Sequence, residues 1–254
     1  MEWNDVLQLP TQTLAGDRAI PKTQLVAQGD LTKTEEKKLK DIQALTFFAS
    51  LSKANTYMLP AKDDMYDIEA IIVLRCVLRN SSGFTELEDI LHKVFPNPTM
   101  LLFEAPDNRV GVSVAVKRKS RAEHGATVVE NVQGTGLIDY GSDLYTPFFN
   151  GLDFSSLPQT DLLSFVSSLA TRCMLSRVVK TLGFYPECKE ASAETLVGQV
   201  KKLQSLQYEV AALERVRKDK ETTFAESTKI RMELNDKKQQ RDQVAEEIRN
   251  LCHD

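Results

Sequence analysis

The sequence predicts an α+β fold: a mixed sheet with flanking helices, followed by a long C-terminal tail of coiled-coil or helical-hairpin type. Three observations lead there. Runs rich in valine, isoleucine and leucine, some strictly alternating, fill much of residues 56–140. Strand-like and helix-like segments are mixed but do not alternate strictly, which favours α+β over a doubly wound sheet. No proline follows Pro186 and no glycine follows Gly198, so Leu196–Leu251 past Gly198 contains nothing that fixes φ wrongly or loosens a helix. One helix of that length would reach on the order of 75–80 Å. It must project or fold back. Three segments are expected: a lead (1–32), an α+β domain (33–188) and a helical tail (189–254).

Composition bounds the function. The chain has 254 residues, 42% apolar and 27% charged, with net charge −4. Residues 1–195 carry −5 and residues 196–254 carry +1. Dedicated nucleic-acid binders derive most affinity from phosphate neutralisation and show a basic excess, which is missing here. The longest apolar run, Ile68–Leu78, is interrupted by Glu69 and Arg75 and falls short of the roughly 20 residues that span a bilayer. Met1–Pro10 has acids at Glu2 and Asp5 and no apolar signal-peptide core. A cytoplasmic protein without membrane contact is expected. Cys76, Cys173, Cys188 and Cys252 form no C-x-x-C pair, so no zinc ribbon is expected. Cys76, in an apolar run, is expected to be buried.

Along the chain, Trp3, Val6, Leu7 and Leu9 suggest a short helix. Thr34 reads as an N-cap, with Glu35 and Glu36 suited to the helix dipole. Leu39, Ile42, Leu45 and Phe48 follow at helical spacing, predicting a helix over Glu35–Leu51. Thr56–Leu59 and Tyr66–Leu78 read as strands, and Asp63-Asp64 as a turn between them. Thr85 caps a helix carrying Leu87, Ile90, Leu91 and Val94. Met100–Phe103 and Arg109–Lys117 form a hairpin around Pro106-Asp107-Asn108. Thr127–Val132 and Gly136–Tyr140 are further strands, and Leu157–Leu182 is an apolar helix ended by Gly183.

In the tail, Leu203, Leu206, Val210 and Leu213 fit an a/d pattern. The frame then passes through Arg217, Lys220, Phe224, Ser227 and Arg231 to Leu234, and returns shifted at Val244, Ile248 and Leu251. Two apolar blocks with a polar centre suit an antiparallel hairpin or interrupted coiled coil better than a continuous zipper. The bend is expected near Lys218–Thr223. Leu203, Leu206, Val210, Leu213, Phe224, Leu234, Val244, Ile248 and Leu251 are the expected partner or self-association face. A long solvated helix is the plainer alternative.

Catalytic signatures are incomplete. G-x-S-x-G, Walker and dinucleotide fingerprints are missing, and Gly134-Thr135-Gly136 reads as a turn or bulge. His92, His124 and His253 form no H-x-x-x-H pair, and His92 is expected on the polar surface of its helix. A metal-dependent nuclease core would join acids such as Asp63, Asp64, Asp67 and Glu69 to an acid-x-Lys strand. Lys117 ends such a strand, but Ala115 stands where the carboxylate belongs. No catalytic residue, metal or cofactor is therefore expected. Lys117, Arg118, Lys119 and Arg121 concentrate positive charge and are the candidate nucleic-acid contact. A hairpin end kept soluble by charge explains them equally well.

Several short motifs carry a resemblance. Leu51-Ser52-Lys53-Ala54-Asn55-Thr56 with Asp67–Leu74 resembles the centre of a bacterial family, domain of unknown function 4391. Pro98–Glu104 and Val114–Lys117 resemble its next strands, the latter ending in lysine. Lys220–Phe224 through Glu233-Leu234-Asn235 resembles its charged helical C-terminus. The similarity covers roughly residues 20–251, and the chain lacks a tryptophan near Thr46–Ala49. The resemblance implies a prokaryotic protein encoded beside a superfamily 2 helicase and a DNA methyltransferase, in restriction-like or other anti-phage defence clusters. It carries over no catalytic residue. The expected role is a non-catalytic accessory subunit, binding a helicase or methyltransferase partner or a second copy through the tail. The alternative is a metal-dependent nuclease or nucleic-acid-binding effector of such a system.

Overall fold

The computed structural model describes residues 2–122, 126–218 and 224–253, with the backbone alone at 224–226 and 253. Two compact units divide the chain, Met1–Met174 and Leu175–Asp254. The first contains α1 (Trp3–Leu7), β1 (Leu14–Ala19), α2 (Lys22–Gln28), α3 (Lys33–Lys38), β2 (Ile42–Ser52), α4 (Lys53–Thr56), β3 (Ala61–Lys62) and β4 (Asp67–Ile68). It continues with β5 (Ala70–Leu78), α5 (Phe84–Val94), β6 (Thr99–Glu104), β7 (Arg109–Lys119), β8 (Thr127–Gly134), β9 (Ile138–Asp139), α6 (Thr146–Asn150) and most of α7 (Leu162–Ser176). The second contains α8 (Val179–Leu182), α9 (Ala193–Arg217) and α10 (Phe224–His253).

Among the described residues, seven strands make one mixed sheet in the order β1-β2-β5-β6-β7-β8, with β9 also paired to β7. Only β5 and β6 run parallel, and α5 is the crossover between them. The other pairings are antiparallel. β3 and β4 form a separate small hairpin. The mixed sheet with flanking helices and the long C-terminal helical segment match the expected architecture.

The core follows from strand alternation. Leu74, Cys76 and Leu78 on β5 and Leu101 and Phe103 on β6 face one side. There they meet Phe84, Leu87, Ile90, Leu91 and Val94, the apolar stripe of α5. Ile71 and Val73 are buried on the opposite face. A strand covered on both sides reads as a continuous apolar run, which is why β5 stood out in the sequence, whereas β7 stood out by its alternating valines Val110, Val112, Val114 and Val116.

The segment expected as one helix over Glu35–Leu51 divides differently. Thr32, not Thr34, caps α3 through a capping box with Glu35, and Ile42–Ser52 is the strand β2. Register shifts between Ile42 and Ala44 and between Phe47 and Ala49 break the two-residue alternation. Bulges therefore place Ile42, Leu45 and Ala49 inward at spacings that imitate a helix. Thr56–Leu59 is not a strand: Lys53–Thr56 forms the helical turn α4, and Tyr57 ends it with φ 63.

In the second unit α9 and α10 lie side by side. Lys237 pairs with Glu209 at 2.6 Å and Lys238 with Glu214 at 2.8 Å. α9 ends at Arg217 and α10 begins at Phe224, while Glu209 and Lys237 lie well inside each helix. The short step from one helix to the next cannot carry the chain back to a parallel start, so the helices run antiparallel as a hairpin. The expected bend reaches residues 219–223, outside the described residues. Among the described residues no helix is long and apolar enough to cross a membrane.

Candidate functional site

The apolar tail residues fold inward. Leu203, Leu206 and Val210 of α9 and Leu234, Val244 and Ile248 of α10 are buried, and Leu213 and Leu251 are half-buried. The side chain of Phe224 lies outside the described residues. Most of the face expected for a partner is thus already occupied within the chain. The reason is the polar centre of the heptad frame, which separates two apolar blocks, each buried on its own helix. The outward side carries the charged residues, yet Tyr208 is 76% exposed and Met232 71% exposed. The heptad reading passed over both because they fall outside its a/d frame.

The cations of the 117–121 segment do not form one exposed loop, since β7 extends through Lys119. Lys117 is 3% exposed and its Nζ donates to the His92 main-chain oxygen at 2.6 Å. Strand alternation turns it beneath α5. Lys119 donates to the Asp63 carbonyl oxygen at 2.6 Å and Arg118 to the Lys119 carbonyl oxygen at 3.1 Å. Arg121 is exposed. His124 lies outside the described residues.

The acids do not converge with Lys117. Asp63, Asp64, Asp67 and Glu69 are all exposed. Asp63 caps its own turn by accepting from the Met65 and Tyr66 backbone N–H groups, each at 2.7 Å. Lys62 pairs with Glu69 and lies 3.8 Å from Asp67. Among the described residues no group of three or more His, Cys, Asp or Glu side chains could hold a metal ion.

His92 is not a surface residue: it is fully buried, with Nε2 2.8 Å from Ser113 Oγ on β7. Glu88, one helical turn earlier, is also buried, and a Cβ at Gly134 would overlap its carboxylate. The side chains of Glu88, His92, Ser113 and Lys117 form a buried polar layer between α5 and β7–β8. Burial pushes Lys117 down to about 8, and burial followed by the Lys117 charge pushes His92 down to about 3. Helical periodicity placed Glu88 and His92 on one face but gave no sign that polar strand positions would meet them.

A second polar cluster lies across the sheet. Arg75 on β5 grips Glu104 on β6 with two bonds, at 2.7 and 2.9 Å. Trp3 Nε1 donates to the same carboxylate at 2.8 Å, which ties α1 to the sheet. A cleft of about 610 Å³ at the N-terminus of α5 is lined by Ser81, Gly83, Phe84, Glu86 and Arg109 among others. Its charges are already paired, Glu86 with Lys38 at 2.8 Å and Arg109 with Asp107 at 2.7 Å.

Tyr57 is the other feature the sequence concealed. It holds the left-handed φ of 63 that disfavours a side chain, and it is 85% exposed. Ser52 and Asn55 hold the turn before it, and Asn55 Nδ2 donates to the Ser50 carbonyl at 2.8 Å. Leu59, two residues on, is also exposed.

A family model described as a domain of unknown function, DUF4391, matches residues 7–240. No curated protein and no solved structure matches the chain.

Proposed function

The chain belongs to the DUF4391 family, and from that premise we propose that it is a non-catalytic accessory subunit that recruits a protein partner. The observation carrying this reading is the pair Tyr208 and Met232, the most exposed of the large apolar side chains on the paired helices, where Val216 is exposed as well. An aromatic and a methionine that serve no fold of their own suit a partner's hydrophobic surface. The protruding Tyr57 and Leu59 supply a second docking point on the sheet unit. The partner class follows from the family resemblance: a helicase or DNA methyltransferase encoded alongside, in a restriction-like anti-phage system.

Co-expression of the tagged full chain with the adjacent helicase and methyltransferase tests this. A stoichiometric complex is expected. Tyr208→Glu with Met232→Glu should abolish it without shifting the Tm of the free chain. Recovery of the chain alone with both candidates expressed, or a complex indifferent to the double substitution, would overturn the reading.

A further inference from the structure

A cleft of about 600 Å³ opens on the sheet unit beside α1. α1 gives it Asp5, α6 gives it Phe149, and the turn after α6 adds Asp153 and Phe154. Tyr140, just past β9, completes the aromatic lining. These walls are held in place. Trp3 Nε1, two residues before Asp5, ties α1 to Glu104 on β6 at 2.8 Å. Tyr140 stands edge-on to Phe149 with ring centres 4.9 Å apart, and Phe154 leans on Phe165 of α7 at 5.5 Å. Tyr140 is nonetheless 44% exposed, so part of its ring is open to an incoming group.

No lysine, arginine or histidine lines this cleft. Asp5 is exposed, and among the described residues neither Asp5 nor Asp153 pairs with a cation. Asp153 Oδ1 accepts from the Ser155 backbone N–H at 2.7 Å and from its hydroxyl at 2.6 Å, a turn that leaves the other oxygen unused. Two carboxylates among three aromatic rings call for a cation with flat, weakly hydrated faces. A guanidinium has them: its planar fork offers several N–H donors to carboxylates and stacks on aromatic rings. The ammonium of lysine is a compact, strongly hydrated point charge and suits such walls less well.

The neighbouring surface favours a chain over a free small molecule. Tyr140 is shared with an adjoining cleft of about 320 Å³ along the β6–β7 turn, lined also by Glu104, Asn108 and Arg109. There the charges are already paired, Glu104 with Arg75 and Arg109 with Asp107, each at 2.7 Å. A neutral extended backbone fits such a stretch. We propose that the two clefts form one docking groove for an extended segment of a partner protein. One arginine of that segment sits among Asp5, Asp153 and the aromatic rings, and its neighbours cross Tyr140 toward the β6–β7 turn. The groove belongs wholly to the sheet unit, so it stands or falls independently of Tyr208 and Met232 on the paired helices.

The test titrates the full chain by isothermal calorimetry with a capped peptide, Ala-Ala-Arg-Ala-Ala, and with the same peptide carrying citrulline, which keeps the shape of arginine and removes its charge. One-to-one binding of the arginine peptide is expected, at least about tenfold tighter than the citrulline peptide and weakened by salt. Asp5→Asn with Asp153→Asn should lower the affinity at least about tenfold. Asparagine keeps the oxygen that accepts from Ser155, so the turn is preserved. Tyr140→Ala should cost about three- to tenfold, and Tyr208→Glu with Met232→Glu should cost nothing. Four results would each overturn the proposal: no binding at millimolar peptide, equal affinity for the two peptides, an affinity unmoved by the double asparagine variant, or N-acetyl-arginine amide binding as tightly as the peptide. The last would mean a small-molecule site instead of a docking groove. The citrulline comparison uses the unaltered protein, so it decides the charge requirement even if a variant folds poorly.

Discussion

Lys117 Nζ donates a 2.6 Å hydrogen bond to the main-chain oxygen of His92, near the C-terminal end of α5. The carbonyl dipole there favours a cation, but burial opposes one, and the folded lysine titrates at about 8 instead of 10.5. Between those values the unfolded chain binds more protons than the folded chain. Stability from this group must therefore rise with pH from about 8 to 10.5, by up to about 3 kcal/mol. Urea denaturation at pH 7.5, 9 and 10.5 should show the rise in the wild type and its loss in Lys117→Met. Parallel pH profiles for the two proteins would refute it.

His92 sets the acid limb. Its folded value is about 3 against 6.5 in the unfolded chain. The unfolded state gains a proton first as pH falls, so the contribution is complete above 6.5 and is lost progressively toward 3. The expected loss is on the order of 3–5 kcal/mol. Denaturant midpoints of wild type and His92→Gln should converge between pH 6.5 and 4. A constant gap would mean that the buried imidazole accepts its proton without unfolding.

These two groups show where sequence reading succeeds and where it fails. α5 was legible because Leu87, Ile90, Leu91 and Val94 repeat at helical spacing over a single apolar partner surface. β5 was legible because burial on both faces leaves a long apolar run, and β7 because its valines alternate. β2 was misread because its bulges put Ile42, Leu45 and Ala49 inward at spacings close to those of a helix. Lys117 and His92 look like surface residues when only their neighbours in the chain are considered. Their burial depends on α5 crossing over β7, and no local pattern encodes that crossing. The hairpin was legible because its two apolar blocks are separated by a polar centre.

Gly134 closes the same polar layer, and an added Cβ would overlap the Glu88 carboxylate. Gly134→Ala should destabilise the chain by about 1–3 kcal/mol, as overpacking in a tight interior does. Glu88 makes other contacts, so Glu88→Gln alone does not isolate the overlap. Gly134→Ala with Glu88→Ala should lose less than the sum of the two single substitutions. Additive chemical-denaturation energies would show that the carboxylate moves aside freely.

The hairpin makes the last prediction. Leu203 is buried on α9, while Leu234, Val244, Ala245 and Ile248 are buried on α10. Most of α10 is charged or polar, and helices of this kind owe most of their stability to packing of the apolar face. Each buried leucine or valine contributes about 1.5–3 kcal/mol, and Leu→Ala in such a site costs about 2–5 kcal/mol. Lys237–Glu209 and Lys238–Glu214 are partly exposed pairs, screened by solvent, that add little to stability. Leu203→Asp should therefore strip protection from α10 as well as α9, whereas Lys237→Ala should leave α10 nearly unchanged. Amide hydrogen exchange of the full chain, followed by mass spectrometry over residues 228–252, measures this directly. If α10 stays protected in Leu203→Asp, the two helices do not stabilise each other, and the paired arrangement would have to be held by contacts other than its apolar seam.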